Sequence, residues 1–248
     1  TLTSQGKRVN WSPKPNSYYT CDPLEGDFSP ASLKIPTMVG TVIAEFGVVQ
    51  DYGDRSQLSV EEREQKVKEF YGEEGGEKIL AAFRKVYPDI NEVYATDLET
   101  TFLPGTVEYV NKKAKEASAP VYNYMFAKIF DYDGGRAAWH CSDIPYFFHN
   151  GDFIPVCQQK CGDMLDKVMS GAFVSFARTG NPNCDGLPQW EPCEEGAMRT
   201  MVFNDTCVVR ENMHGELLPL TLQYKPSFDF HPPVPSDDEE ESGNAWVF

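Results

Sequence analysis

Thr37-Met-Val-Gly-Thr-Val-Ile-Ala44, set between Pro36 and Glu45, is the stretch on which the fold turns. It is a short apolar run without polar alternation, the pattern of a strand buried on both faces in a parallel sheet. A carboxylate is an odd choice directly after such a run. Strand ends are, however, where sheet enzymes display reactive groups, which makes Glu45 a candidate site residue.

Working outward from this strand, residues 1–34 are rich in Pro, Ser, Gly and Asn and read as an irregular segment with a short strand at Ser17 to Thr20. Ser59, three residues before Glu62, forms a capping-box pattern that predicts a helix to about Tyr71. Ile79, Leu80, Phe83 and Val86 recur at helical spacing and predict a second helix from about Glu77 to Tyr87, ended by Pro88. One or two more helices fit between Ile90 and Glu116. Val121 to Phe130 reads as a second buried strand, broken by Gly134-Gly135. Met164, Leu165, Val168, Met169, Phe173 and Phe176 predict an amphipathic helix over 162–178, closed by Gly180 and Pro182. Thr200 to Phe203 and Thr206 to Val209 flank Asn204-Asp205 as a hairpin. Residues 211–248 read as an irregular tail. Strands separated by helices give an α/β architecture.

The balance of charge narrows the partners. With 38 acidic against 22 basic residues the formal charge is −16, and the run Asp237 to Glu241 adds an acidic patch near the C-terminus. Nucleic acid and anionic membranes need concentrated basic surface, so neither is expected as a partner. No window reaches the roughly 18 consecutive apolar residues of a membrane-spanning helix. Thr1 to Trp11 lacks the apolar core of a signal peptide, which says nothing if Thr1 is not the native start. Seven cysteines, an odd number at irregular spacing, read as reduced thiols and favour a cytoplasmic location. Cys157 and Cys161 would share a face on a helix, but a zinc site needs two further ligands at short spacing, and no metal or cofactor is expected.

Of the four histidines, His149, His214 and His231 lie in polar or Pro-rich surroundings and read as surface or capping residues. His140 follows the second strand and the glycine pair. It is either a satisfied loop histidine or a catalytic base. If the two strands are neighbours, His140 and Glu45 emerge at one sheet edge, and a carboxylate holding an imidazole is two-thirds of a nucleophilic triad. Cys141 beside His140 suggests a cysteine hydrolase, but adjacent side chains point apart, so His140 is poorly placed to serve its own neighbour.

The segment Ala137-Ala-Trp-His-Cys-Ser-Asp-Ile-Pro-Tyr-Phe-Phe-His-Asn150 resembles the histidine loop of the type-B carboxylesterase and cholinesterase-like family, in which an acid follows the histidine by three positions. Val168 to Asn183 is similar to the family's next helix, Leu187-Pro-Gln-Trp190 and Arg199 to Phe203 to its closing segment, and Ile35 to Glu45 to the strand that delivers its acid. The resemblance runs from about residue 11 to residue 210, in the family's order.

It implies the C-terminal part of an α/β-hydrolase fold, a mixed sheet flanked by helices and incomplete as given. It also implies a Ser-Glu-His triad with Glu45 as acid and His140 as base. Asp143 matches the acid after the histidine and reads equally as a supporting carboxylate or as a loop cap. Tyr146, Phe147 and Phe148 read as core ahead of acyl pocket, with Thr41 to Ala44 and Phe46 as candidates for a pocket floor. No Gly-x-Ser-x-Gly elbow and no Gly-rich oxyanion loop occurs in the 248 residues. The expected partners are therefore a small carboxylic ester and the N-terminal half of the same enzyme, and the chain alone is expected to be inactive. The alternative is a non-catalytic binding module of the same family; retention of both Glu45 and His140 favours an active parent. Two geometric expectations follow: strand 37–44 should have one unpaired edge, and Glu45 should reach a ring nitrogen of His140.

Overall fold

The computed structural model describes residues 13–19, 21–46 and 50–225. A four-stranded sheet contains β1 (Thr37–Val42), β2 (Val121–Phe126), β5 (Arg199–Phe203) and β6 (Val208–Glu211), in the order β1-β2-β5-β6. The first three strands run parallel and β6 is antiparallel to β5, so the sheet is mixed. Thr37 lies opposite Val121 and Val42 opposite Phe126, which brings the C-terminal ends of β1 and β2 level. Among the described residues nothing pairs with the outer side of β1, the unpaired edge expected from the sequence.

The segment expected as one strand over 121–130 is two. β2 stops at Phe126, and after Ala127-Lys128 the short β3 (Ile129–Phe130) pairs with β4 (Arg136–Ala137) across the Gly134-Gly135 turn. Lys128 makes the break. Its stem is buried and its ammonium bonds the Lys160 carbonyl and Asp205, each at 2.9 Å, as a buried cation requires.

Helices cover the sheet. α1 (Val60–Tyr71) starts at the expected capping box: Ser59 N–H donates to Glu62 Oε2 at 2.8 Å and Glu62 N–H to Ser59 Oγ at 3.2 Å. α2 (Glu73–Val86) begins four residues earlier than the apolar periodicity suggested. Its first turn contains Gly75 and Gly76, poor helix formers that are required by packing. A Cβ on Gly75 would sit 2.6 Å from the Tyr224 ring, and one on Gly76 2.6 Å from Lys68 Cα. α3 (Leu103–Glu116) precedes β2, the short α4 (Ile144–Phe147) follows the histidine loop, and α5 (Gly162–Thr179) ends at Gly180 in the left-handed conformation.

Two expectations near the termini change. At Ser17 to Tyr19 the chain turns, because Asn16 Oδ1 accepts the amides of Tyr18 and Tyr19; Thr20 is outside the described residues. The tail is not irregular from 211 onward: α6 (His214–Tyr224) packs on α2 with Leu217, Leu218 and Thr221 buried. Pro219 inside it masks the helical signal, although the apolar face buried there outweighs the amide bond the proline cannot make. The acidic run Asp237 to Glu241 lies outside the described residues. The main core joins the sheet to these helices, with Phe126, Phe203, Trp190, Phe83 and Ile79 fully buried.

Candidate active site

Beyond Val42 the chain keeps a ladder of backbone bonds that fixes where Glu45 points. Ile43 N–H donates to Phe126 O at 2.9 Å, Ala44 N–H to Ala138 O at 3.0 Å, and His140 N–H to Glu45 O at 3.1 Å. The backbones of the two candidate residues are thus bonded directly, 95 positions apart in sequence. Their side chains meet as well: Glu45 Oε2 lies 2.6 Å from His140 Nδ1. Glu45 Oε1 accepts the Val42 amide at 3.2 Å, so both carboxylate oxygens are occupied. The Glu45 side chain is 10% exposed and that of His140 46%.

A carboxylate on Nδ1 selects the tautomer with its proton on that nitrogen and leaves the Nε2 lone pair outward. Among the described residues no hydrogen-bonding group meets Nε2.

Asp143 stands one layer away. Tyr124 Oη donates to Asp143 Oδ2 at 3.0 Å, and burial raises the Asp143 pKa against the opposing effect of that bond. Its side chain makes no cap to α4; the turn there uses the Asp143 carbonyl, which accepts the amides of Tyr146 and Phe147. Tyr146 and Phe147 are core, whereas Phe148 is exposed with its ring 5.4 Å from that of Phe173. Thr41 to Ala44 are buried, the first two in β1 and the others just past its end. Phe46 is half-exposed, and its ring lies 4.4 Å from the imidazole of His140.

The other histidines are elsewhere. His149 is exposed and its Nδ1 pairs with Asp166 Oδ2. His214, expected as a surface or capping residue, is buried at the start of α6, where burial pushes its pKa down to about 4. His231 lies outside the described residues. Cys141 is exposed in a left-handed conformation (φ 67°), and the Nδ1 of the neighbouring His140 is engaged by Glu45. Cys157 and Cys161 share no helix face: the first lies in a 3-10 turn (Pro155–Gln158), the second precedes α5 with φ 62°.

Sequence reading missed Phe102 and Glu99. The Phe102 ring is 5.5 Å from Phe46 and 6.1 Å from His140. The Glu99 carboxylate accepts the amides of Thr101, Phe102 and Leu103 at the entrance to α3. An acid just before a helix was the available signal.

Helices on a mixed sheet, with a carboxylate just past the end of β1 bonded to a histidine in the loop that follows β4, fit an α/β-hydrolase architecture. The carboxylesterase family model matches residues 2–218, and the chain belongs to that family. A solved structure described as an esterase from anaerobic Clostridium hathewayi that can hydrolyse aliphatic aromatic polyesters is similar at a TM-score of 0.82 and 33% identity, over 90% of this chain and 44% of that one. A thermophilic PNB esterase, at 22% identity and a TM-score of 0.50 over 75% of this chain and 38% of its own, shares the fold. Phenmedipham hydrolase from Pseudarthrobacter oxydans is 29% identical over 93 residues, 35% of this chain and 19% of that protein. The chain spans less than half the length of each of these relatives.

Proposed function

We propose that this chain supplies the acid and the base of a Ser-Glu-His triad that hydrolyses carboxylic esters, the serine and the oxyanion donors coming from sequence outside these 248 residues. The 2.6 Å contact between Glu45 Oε2 and His140 Nδ1 carries the reading. Membership of the carboxylesterase family and the esterase and hydrolase names of the relatives support it.

In this mechanism His140 Nε2 takes the proton from the serine hydroxyl as its oxygen bonds the ester carbonyl carbon. The imidazolium that forms is stabilised by Glu45, and the proton passes from Nε2 to the alkoxide as the ester C–O bond breaks. Water then repeats the cycle on the acyl-serine, giving up a proton to Nε2 and releasing the carboxylic acid. Asp143 acts at a distance, holding Tyr124 beneath the site.

The test is p-nitrophenyl acetate turnover by the protein as its gene encodes it and by the 248-residue chain. The first should be active and lose activity by orders of magnitude in His140→Ala; the second should release no more p-nitrophenol than free imidazole does, because triad members act as a unit. Full activity in His140→Ala, or serine-type turnover by the chain alone, would overturn the proposal.

A further inference from the structure

Two phenyl rings gather at the half-exposed imidazole of His140. Phe46 stacks on the imidazole at 4.4 Å between centroids and 34° between planes, and Phe102 lies 5.5 Å from Phe46 and 6.1 Å from His140. Phe46 and Phe102 remain 47% and 44% exposed. Apolar rings left half in solvent against the imidazole of a candidate base do not serve the core. They form a wall on which the apolar part of a ligand can lie.

What holds Phe102 in that wall is Glu99. Its side chain is buried, and its carboxylate takes three consecutive amides, Thr101, Phe102 at 2.7 Å and Leu103. Its own N–H donates to Ile43 O at 2.9 Å, two residues before Glu45. The carboxylate therefore sets the backbone of Phe102, while the backbone amide of the same residue ties that turn to the segment carrying the candidate acid. Helix capping alone would account for a bond or two to the first amides of α3. It would not account for an anchor to the acid-bearing strand or for an aromatic ring aimed at the imidazole.

We propose that Glu99 is a positioning residue: by clamping the turn before α3 it holds Phe102 against Phe46 and His140, completing an apolar wall beside the imidazole. The substrate side rests on the esterase reading above. The wall then receives an aromatic or bulky aliphatic group of the ester, while Glu99 touches neither substrate nor reacting atoms.

The experiment has two arms. In the 248-residue chain, the His140 ring-proton resonances report the ring currents of Phe46 and Phe102. Phe102→Leu should displace them, Glu99→Ala should displace them in the same direction, and the double variant should go no further than Phe102→Leu. A Glu99→Ala chain that melts earlier but keeps the wild-type His140 resonances would overturn the positioning role. If Glu99→Ala does not fold, Glu99→Gln, which keeps one carbonyl acceptor for the three amides, should give a partial displacement; none would again overturn it.

In the protein as its gene encodes it, kcat/KM for p-nitrophenyl benzoate relative to acetate should fall roughly two- to tenfold in Glu99→Ala and in Phe102→Leu, the size of one aromatic contact, mainly through KM. Equal losses on both esters would overturn the wall. Absence of wild-type turnover would remove the esterase reading and the wall with it, and the resonance arm would still decide the positioning role.

Discussion

Tyr124 closes over Gly40 so tightly that a β-carbon on Gly40 would stand 2.3 Å from the Tyr124 carbonyl oxygen and 2.5 Å from its ring. The two residues face each other across the β1–β2 pair, and Tyr124 carries the hydroxyl that bonds Asp143. Gly40→Ala should therefore push β1 from β2 and destabilise the fold by about 1–3 kcal/mol, the usual cost of overpacking. Urea unfolding followed by circular dichroism checks this; an unchanged midpoint would mean that the strands can separate at no cost.

Glu45→Gln keeps the shape of the acid but presents an amide to Nδ1. The carboxamide cannot offset an imidazolium and allows the wrong tautomer, so kcat of the active protein should fall by about 10⁴-fold, as loss of the orienting acid does in other triads. The melting temperature should move little, because Oε1 can still accept the Val42 amide. Paired kinetics and calorimetry read both effects.

The buried pair Arg55–Asp97 tests a different principle. Both side chains are inaccessible, the guanidinium also bonds Gln50 O at 2.9 Å, and burial raises the Asp97 pKa although Arg55 opposes it. Asp97→Asn should cost about 3–5 kcal/mol by stranding a buried cation, whereas Arg55→Met with Asp97→Leu should cost less than either single change. A double-mutant cycle in chemical denaturation gives the comparison.

His214 makes stability depend on pH. Its ring is buried with no partner on Nε2 and sits at the positive end of α6, so the folded protein refuses a proton until about pH 4. The unfolded chain accepts one near 6.5. Between those values the unfolded state binds more protons, so stability falls as pH drops from about 6.5 to about 4 and the penalty levels off below, near 3 kcal/mol at 1.36 kcal/mol per unit. His214→Phe should flatten that part of the melting-temperature profile.

The meeting of Glu45 and His140 was legible because Glu45 directly follows an apolar run and His140 comes shortly after a strand and a glycine pair, and period-two and period-3.6 patterns survive in a single sequence. Boundaries were less legible wherever packing overrules propensity. Gly75 and Gly76 conceal the first turn of α2 because they admit Tyr224 and Lys68, and Pro219 conceals α6. Lys128 looks like a strand residue until its partners at Lys160 and Asp205 are known. Phe102 gave no signal of its own, since a ring next to His140 is a fact of tertiary proximity between segments 38 residues apart (140 − 102).

The outer edge of β1 has a built-in ruler. Thr37 and Ile43 donate inward, to Pro120 and Phe126, so the amides of Met38, Gly40 and Val42 face away from β2. The last of these is already satisfied by Glu45 Oε1. A strand added along this edge can bond at Met38 and Gly40 but must halt at Val42 or strip the acid of one of its two anchors. Glu45 thus meters how far any neighbour can zip, and its carboxylate keeps its aim only when the join stops short.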